Sequence, residues 1–214
     1  MQRCKEKIRK EIVRQALKVF RSRGFAKSSM SEIAEASGVC LSTIYNHFSG
    51  KEALFREIVH PAVLSFERLL EGLRGRHETD ILEFLSESFS RQVVEEYIVL
   101  LRNYRKELQI LLFRAQGSSL EHFREEFTDR SAALVRTCFD EVKRRHPQTV
   151  AGISDFFIRL HSVWMFTLLE ELLTHPAPPE ETERSITEYI AFEVAGWREL
   201  MRLGALSISV SYTH

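Results

Sequence analysis

Apolar residues recur along this chain at intervals of three and four, the rhythm of helices with one buried face. Ile8, Ile12, Val13, Ala16, Leu17 and Phe20 share one side of a first helix, with Lys and Arg between them, and Gly24 stops it. "SMSE" (residues 29–32) has the S-x-x-E form of a capping box and opens a short helix carrying Ile33, Ala34 and Ala36. "SGV" (37–39) is a tight turn with Gly38 at its bend, and residues 40–48 form a second short helix. "SGKE" (49–52) repeats the S-x-x-E start and opens a long helix with Leu54, Phe55, Ile58, Val59, Phe66, Leu69 and Leu70. Pro61 should bend that helix near residues 57–61, and the glycines of "EGLRGRHE" (71–78) end it.

Helical spacing continues from about residue 79 to 115, with a break near Asn103. A capping start at Ser118 leads to a helix ending near Arg145, and two more follow at about 149–174 and 180–203. The terminal "SISVSYTH" alternates like a strand but sits where chains fray. The pattern predicts an all-α fold of about nine helices. A three-helix N-terminal domain occupies residues 1–50, the helix 51–73 connects, and a helical body spans 62–214.

Composition changes this picture in one respect. Hydrophobic content is 44% and charged content 28%, ordinary for a soluble globular protein, and no window approaches 18 consecutive apolar residues. The basic start lacks the apolar core of a secretory signal, and Cys4, Cys40 and Cys138 form no C-x-x-C, so a cytoplasmic protein is expected, with no membrane partner. The net charge of zero conceals a split. Of 30 basic and 30 acidic residues, positions 1–60 hold 12 and 6, which leaves 18 and 24 for the remainder. A basic quarter on an acidic body points to a polyanion partner for one end.

The segment 30–48 has the form of a helix-turn-helix, whose second helix enters the major groove of DNA. Ile33, Ala34, Val39, Ile44 and Phe48 fit its inner side, which leaves Leu41, Ser42, Thr43, Tyr45, Asn46 and His47 on outer or end surfaces. Hydroxyls, amides and imidazole donate to phosphate oxygens; Asn46 suits an adenine edge, and Leu41 or Thr43 a thymine methyl. Lys51 lies in the first turn of the following helix, where the dipole disfavours a cation, and a phosphate shared with the free N–H groups would explain it.

The run "FAKSSMSEIAEASGVCLSTIYNHFSGKEALF" resembles the DNA-binding domain of the TetR family of bacterial transcriptional regulators, over about residues 8–60. The resemblance implies phosphate contacts from Ser29, Thr43, Tyr45, His47 and Lys51, and base or groove contacts from Leu41, Ser42 and Asn46. It further implies a homodimer on a double-stranded DNA operator and a small-molecule effector held in the helical body. Cys40 departs from the family pattern, standing where a serine or threonine usually caps the helix, as does Ser42, where glycine is frequent.

The body offers weaker signals. His161 lies on an apolar face with Phe157, Trp164 and Leu168, as a core histidine or as a polar anchor in a ligand cavity. Six phenylalanines, Phe123, Phe127, Phe139, Phe156, Phe157 and Phe166, are expected mostly in the core, and a cavity lined by some of them would suit an apolar or aromatic molecule. Tyr104, Phe127, His161 and Trp164 are the candidate ligand contacts. Ala191, Ala195 and Gly196 are small enough for close helix approach, so the faces of the last two helices either finish the monomer core or pair with a second copy across a two-fold axis, the favoured reading. No catalytic signature, metal-ligand spacing or cofactor loop is present, so neither enzyme nor cofactor is expected. A ligand-released homodimeric repressor is the leading reading. An all-α binding or adaptor protein that does not use DNA is the alternative.

Overall fold

The computed structural model describes residues 2–74, 86–145 and 153–203. Among them every regular element is a helix: α1 (Gln2–Arg23), α2 (Met30–Ser37), α3 (Leu41–Tyr45), α4 (Lys51–Arg74), α5 (Glu87–Phe113), α6 (Phe123–Arg145), α7 (Asp155–Thr174) and α8 (Pro179–Leu203). The expected break near Asn103 falls at Tyr104, whose non-helical backbone (φ −127°, ψ 22°) divides α5 into two helical stretches across a kink. The glycine-rich end of the fourth helix beyond Arg74, the "HPQ" interruption and the terminal strand-like segment lie outside the described residues. No described helix is long and apolar enough to cross a membrane.

Packing divides the chain into two units, residues 1–67 with 100–126 and residues 68–99 with 127–214.

In the first unit the helical rhythm becomes a core. Ile12, Ala16 and Phe20 of α1, four residues apart, have no exposed surface, and neither do Leu54, Phe55, Ala62 and Phe66 of α4. Phe20, Phe25 and Phe55 meet as a triad, with ring centroids 5.0 to 6.0 Å apart. The segment 100–126 is fastened to this core by backbone and side chain. Phe25 N–H donates to the Arg114 carbonyl at 2.8 Å, and Arg21 donates to Gln109 Oε1 at 3.1 Å. Pro61 lies inside α4 without ending it.

Two expected caps differ from the structure. Helix α4 starts at Lys51, with Leu54 N–H on the Gly50 carbonyl, so Glu52 is not at the position from which it would close a box with Ser49. Its carboxylate accepts instead from the Ser119 N–H (3.2 Å) and from the Ser119 hydroxyl. Around Ser118 the chain forms successive turns, with Gly117 N–H on Glu121 (2.8 Å) and Leu120 N–H on Ser118 Oγ (3.1 Å), and helix starts only at Phe123.

In the second unit Ile158, Phe166, Leu169 and Leu173 of α7 and Ile186 and Ile190 of α8 are buried, and Phe127 meets Phe166 edge to face at 5.6 Å. Of the phenylalanines expected in the core, Phe123, Phe127, Phe139 and Phe166 are buried and Phe157 is half-buried. Phe156 is 76% exposed, because it sits off the face that Ile158, Ser162, Phe166 and Leu169 bury.

The turn between α2 and α3 depends on Gly38, whose φ of +65° is left-handed backbone that a side chain disfavours. It lets Gly38 N–H reach the Glu35 carbonyl and Val39 N–H the Ala34 carbonyl, each at 3.1 Å. No atom lies within 4 Å of where a Cβ would stand, so the cost of adding one is conformational alone. Gly38→Ala should lower unfolding free energy by about 1 kcal/mol in a denaturant titration. An unchanged midpoint would contradict this account of the turn.

Candidate nucleic-acid interface

Ser29 caps α2 in a reciprocal box. Glu32 N–H donates to Ser29 Oγ at 3.2 Å, and Ser29 N–H donates to Glu32 Oε2 at 3.1 Å. The same Glu32 pairs with Arg23 at 2.7 Å, which ties the start of α2 to the end of α1. Ser29 is exposed, as a phosphate contact requires, but its hydroxyl also lies 3.3 Å from Glu32 Oε2, so that contact would compete with the box.

Helix α3 has five residues, too few to be stable alone in water. Ile44, with no exposed surface, and Phe48, 4% exposed, seat it on the core. Regular helix was expected through residue 48. It ends at Tyr45, after which His47 and Phe48 N–H groups both donate to the Ile44 carbonyl at 2.9 Å.

With Ile44 and Phe48 inward, the remaining side chains fall where the sequence pattern put them. Ser42 and Asn46 are exposed, Leu41 is 38% and Tyr45 52% exposed, and Thr43 and His47 are half-buried. No described residue hydrogen-bonds the Tyr45 phenol, the Asn46 amide or the His47 ring. The surface therefore combines unengaged polar groups with two large apolar side chains in water.

Cys40 occupies the N-cap of α3 without a capping bond to the backbone. Its sulfur lies 3.1 Å from Ser42 Oγ and 2.9 Å from Thr43 Oγ1. Hydrogen bonds from Ser42 and Thr43 stabilise the thiolate and pull the thiol down to about 7. Cys138, partly buried, is pushed up to about 11.

Lys51 has an intramolecular role that sequence spacing does not disclose. Its ammonium donates to the Phe25 carbonyl at 2.8 Å and to the Ser28 carbonyl at 2.9 Å, and stands 4.2 Å from the centroid of the Phe25 ring. Two of its three N–H groups thus close the turn before α2, and one remains. A shared phosphate is not needed to explain a lysine at this position. Lys27, two residues before the α2 cap, is an exposed cation that sequence reasoning passed over, with no ion-pair partner among the described residues.

The four candidate ligand contacts divide between the two units. Tyr104 marks the α5 kink in the first unit. Phe127, His161 and Trp164 belong to the second unit, where Phe127 is core. His161 sits in a polar cluster of which spacing had shown only one member. Trp197 Nε1–H donates to His161 Nε2 at 2.9 Å, and Glu193 Oε2 lies against the same nitrogen. Burial, with the Glu193 charge adding to it, holds the Tyr97 and Tyr189 phenols far above their ordinary range, so both keep their protons. The legible signal was Glu193 itself, a carboxylate three residues after Ile190 and four before Trp197, inside an apolar stripe.

A short helix seated by two apolar anchors, preceded by a glycine turn and a capped helix, is the DNA-reading unit of helix-turn-helix proteins. Residues 12–58 match the family described as "Bacterial regulatory proteins, tetR family". The chain is 26% identical over 166 residues to the uncharacterized HTH-type transcriptional regulator YfiR of Bacillus subtilis, covering 73% of this chain and 78% of that one. It is 42% identical over 53 residues to the HTH-type transcriptional regulator AcrR of Shigella flexneri, 25% of each chain. Among solved structures, native NalD, the secondary repressor of the MexAB-OprM multidrug efflux pump in Pseudomonas aeruginosa, shares the fold with a TM-score of 0.61 at 24% identity, over 88% of this chain and 96% of that one. Over residues 12–58 the chain thus carries a domain of the tetR regulatory family, which marks it as a DNA-binding transcriptional regulator.

Two outcomes test the local chemistry. Lys51→Met should lower stability by about 1.5–3 kcal/mol without any DNA present, because two carbonyls of the buried residues Phe25 and Ser28 lose a charged donor; an unchanged denaturation midpoint would show the lysine to be spare. In a Cys4→Ser background, the iodoacetamide reactivity of Cys40 should rise with pH with a midpoint at about 7, because the thiolate is the reacting form above that pH. The double change Ser42→Ala, Thr43→Val should move that midpoint upward toward an ordinary thiol.

Proposed function

We propose that this regulator is a cytoplasmic homodimeric repressor that holds an inverted repeat in duplex DNA through α3 and lets go when a small molecule enters its second unit. The observation that carries the proposal is the outer surface of α3: Leu41, Ser42, Tyr45 and Asn46 are exposed, and the polar groups of Tyr45, Asn46 and His47 are unengaged, while Ile44 and Phe48 hold the helix in place. Ser42, Leu41 and Asn46 read base edges or the groove. Tyr45, Thr43 and His47 bind phosphates, joined by Ser29, by the remaining N–H of Lys51 and by Lys27.

Dimerisation is supported on α8. Gly196 is exposed, and no atom of the described residues outside its own helix turn lies within 4 Å of where its Cβ would be, so its smallness serves no contact among them. Phe192 beside it is 66% exposed, and Ala191 and Ala195 are exposed on the same helix. A second copy of α8 would cover these residues. Two α3 helices would then enter successive major grooves about 34–36 Å apart. A ligand that binds more tightly to a state with another spacing releases the operator. Helix α4 continues from the first unit into the second and is the lever in this scheme, with Pro61 its candidate pivot. NalD, also described as a repressor, has the same fold.

The test is a titration of the purified chain with duplexes spanning its own promoter, read by fluorescence anisotropy across a range of salt. Binding should weaken steeply as salt rises. Tyr45→Phe should bind about ten-fold more weakly, because one hydrogen bond to a charged oxygen is lost. Its folding midpoint should not move, since the phenol has no partner in the protein. Salt-independent binding, or Tyr45→Phe indistinguishable from wild type, would contradict the proposal.

A further inference from the structure

In the second unit, Glu193 of α8 keeps only 8% of its surface, yet its Oε1 has no hydrogen-bond partner, and neither has the buried hydroxyl of Tyr189 one turn earlier. Leaving a carboxylate oxygen buried without a donor is costly. The neighbouring histidine cannot relieve it. His161 Nε2 carries one in-plane position, and both the Trp197 N–H and Glu193 Oε2 address it. If Nε2 accepts from Trp197, it donates nothing to Glu193; if it donates to Glu193, the indole N–H has no acceptor there. Tyr189 and Tyr97 remain protonated close to Glu193, and the Tyr189 phenol interacts with that carboxylate, yet neither its hydroxyl nor Glu193 Oε1 is in full hydrogen-bond geometry. The cluster as it stands leaves Glu193 Oε1 and the Tyr189 hydroxyl unpaired and sets Trp197 and Glu193 in competition for one nitrogen.

Its walls are aromatic. The Trp197 ring lies 4.7 Å from His161, 5.2 Å from Phe139 and 5.5 Å from Phe157, centroid to centroid, and Trp164 meets Phe157 at 6.2 Å. His161 retains 25% of its side-chain surface and Trp197 is half-buried, so the cluster is open on that side. A carboxylate short of donors among aromatic faces matches a cation that carries N–H groups, since ring faces attract positive charge as the carboxylate does. It repels a carboxylate or phosphate and gives an uncharged hydrocarbon no partner for Oε1.

We infer that the second unit binds an aromatic or amphipathic amine in its protonated form, with Glu193 receiving the ammonium N–H groups, Tyr189 as the second polar contact and Trp197 against the cation. With Glu193 bonded to the ligand, His161 Nε2 is left to accept from Trp197, and each polar group of the cluster has a partner. The inference rests on the reading of this unit as the effector site and names the chemistry of the effector.

The experiment is isothermal titration of the full chain with benzylammonium, naphthylmethylammonium and tryptamine, each beside analogues in which methyl or carboxylate replaces the ammonium. At least one ammonium probe should bind about ten-fold more tightly than its methyl analogue, and the carboxylate most weakly, the margin expected of a charged hydrogen bond. Glu193→Gln, whose folding is checked by thermal melting, should bring the ammonium to within about two-fold of its methyl analogue, because the bond is no longer charge-assisted. Tyr189→Phe should reduce the preference in a smaller step, and it decides the matter together with the wild-type ranking if Glu193→Gln does not fold. No binding by any ammonium probe at millimolar concentration, equal binding of ammonium and methyl forms, or a preference that survives Glu193→Gln would overturn the inference. Operator release is measured separately. Ammonium binding that leaves the operator bound defeats the release scheme and not this inference, whereas release by neutral or acidic molecules with no ammonium preference does the reverse.

Discussion

Ile44 is the fixed point of this protein's DNA-reading surface. Helix α3 has five residues and no side-chain cap, so its conformation is imposed by what it is seated on. Complete burial of Ile44, worth about 1.5–3 kcal/mol, with Phe48 one turn later, sets the rotation of the helix about its axis. Once that rotation is set, Leu41, Ser42, Tyr45 and Asn46 have nowhere to point but outward. The reading face is thus a consequence of two apolar contacts on the opposite side, and the polar residues on it need make no contribution to folding.

The seat itself is held from several directions. Arg9 pairs with Glu57 and stands 5.1 Å over the Phe48 ring, which joins α1 and α4 around the end of the reading segment. Lys51 closes the turn that precedes α2, and Glu32 binds Arg23 while capping the same helix. Phe25 and Glu52 are fastened to Arg114 and Ser119, so residues 100–126 constrain the unit that carries α3. The chain passes between the two units three times, within α4, α5 and α6, so a release mechanism in this protein has more than α4 to work through.

The legible part of the molecule was local. Periodic burial at Ile12, Ala16 and Phe20, the Ser29–Glu32 box, the turn at Gly38 and the inward pair Ile44 and Phe48 all follow from spacings of three or four residues and from one glycine. The break near Asn103 was legible to within one residue. The illegible part was non-local. Lys51 bonds carbonyls 26 and 23 residues away, and Glu52 reaches a serine 67 residues away, so neither role leaves a trace in local pattern. A lysine in a helix's first turn looks like a free cation until the carbonyls it closes on are seen. Likewise His161 read as a lone polar residue on an apolar face, and only the packing of α7 against α8 shows it beside Glu193 and Trp197.

The central claim, that the surface around α3 faces a duplex, is tested most directly through a reporter already on it. Cys40 is exposed at the start of α3. In a Cys4→Ser background, saturating operator duplex at low ionic strength should slow alkylation of Cys40, and added salt should restore the rate as the complex dissociates. The partly buried Cys138 should be unaffected. Alkylation of Cys40 at one and the same rate with and without saturating, bound duplex would place the contact elsewhere and contradict the account.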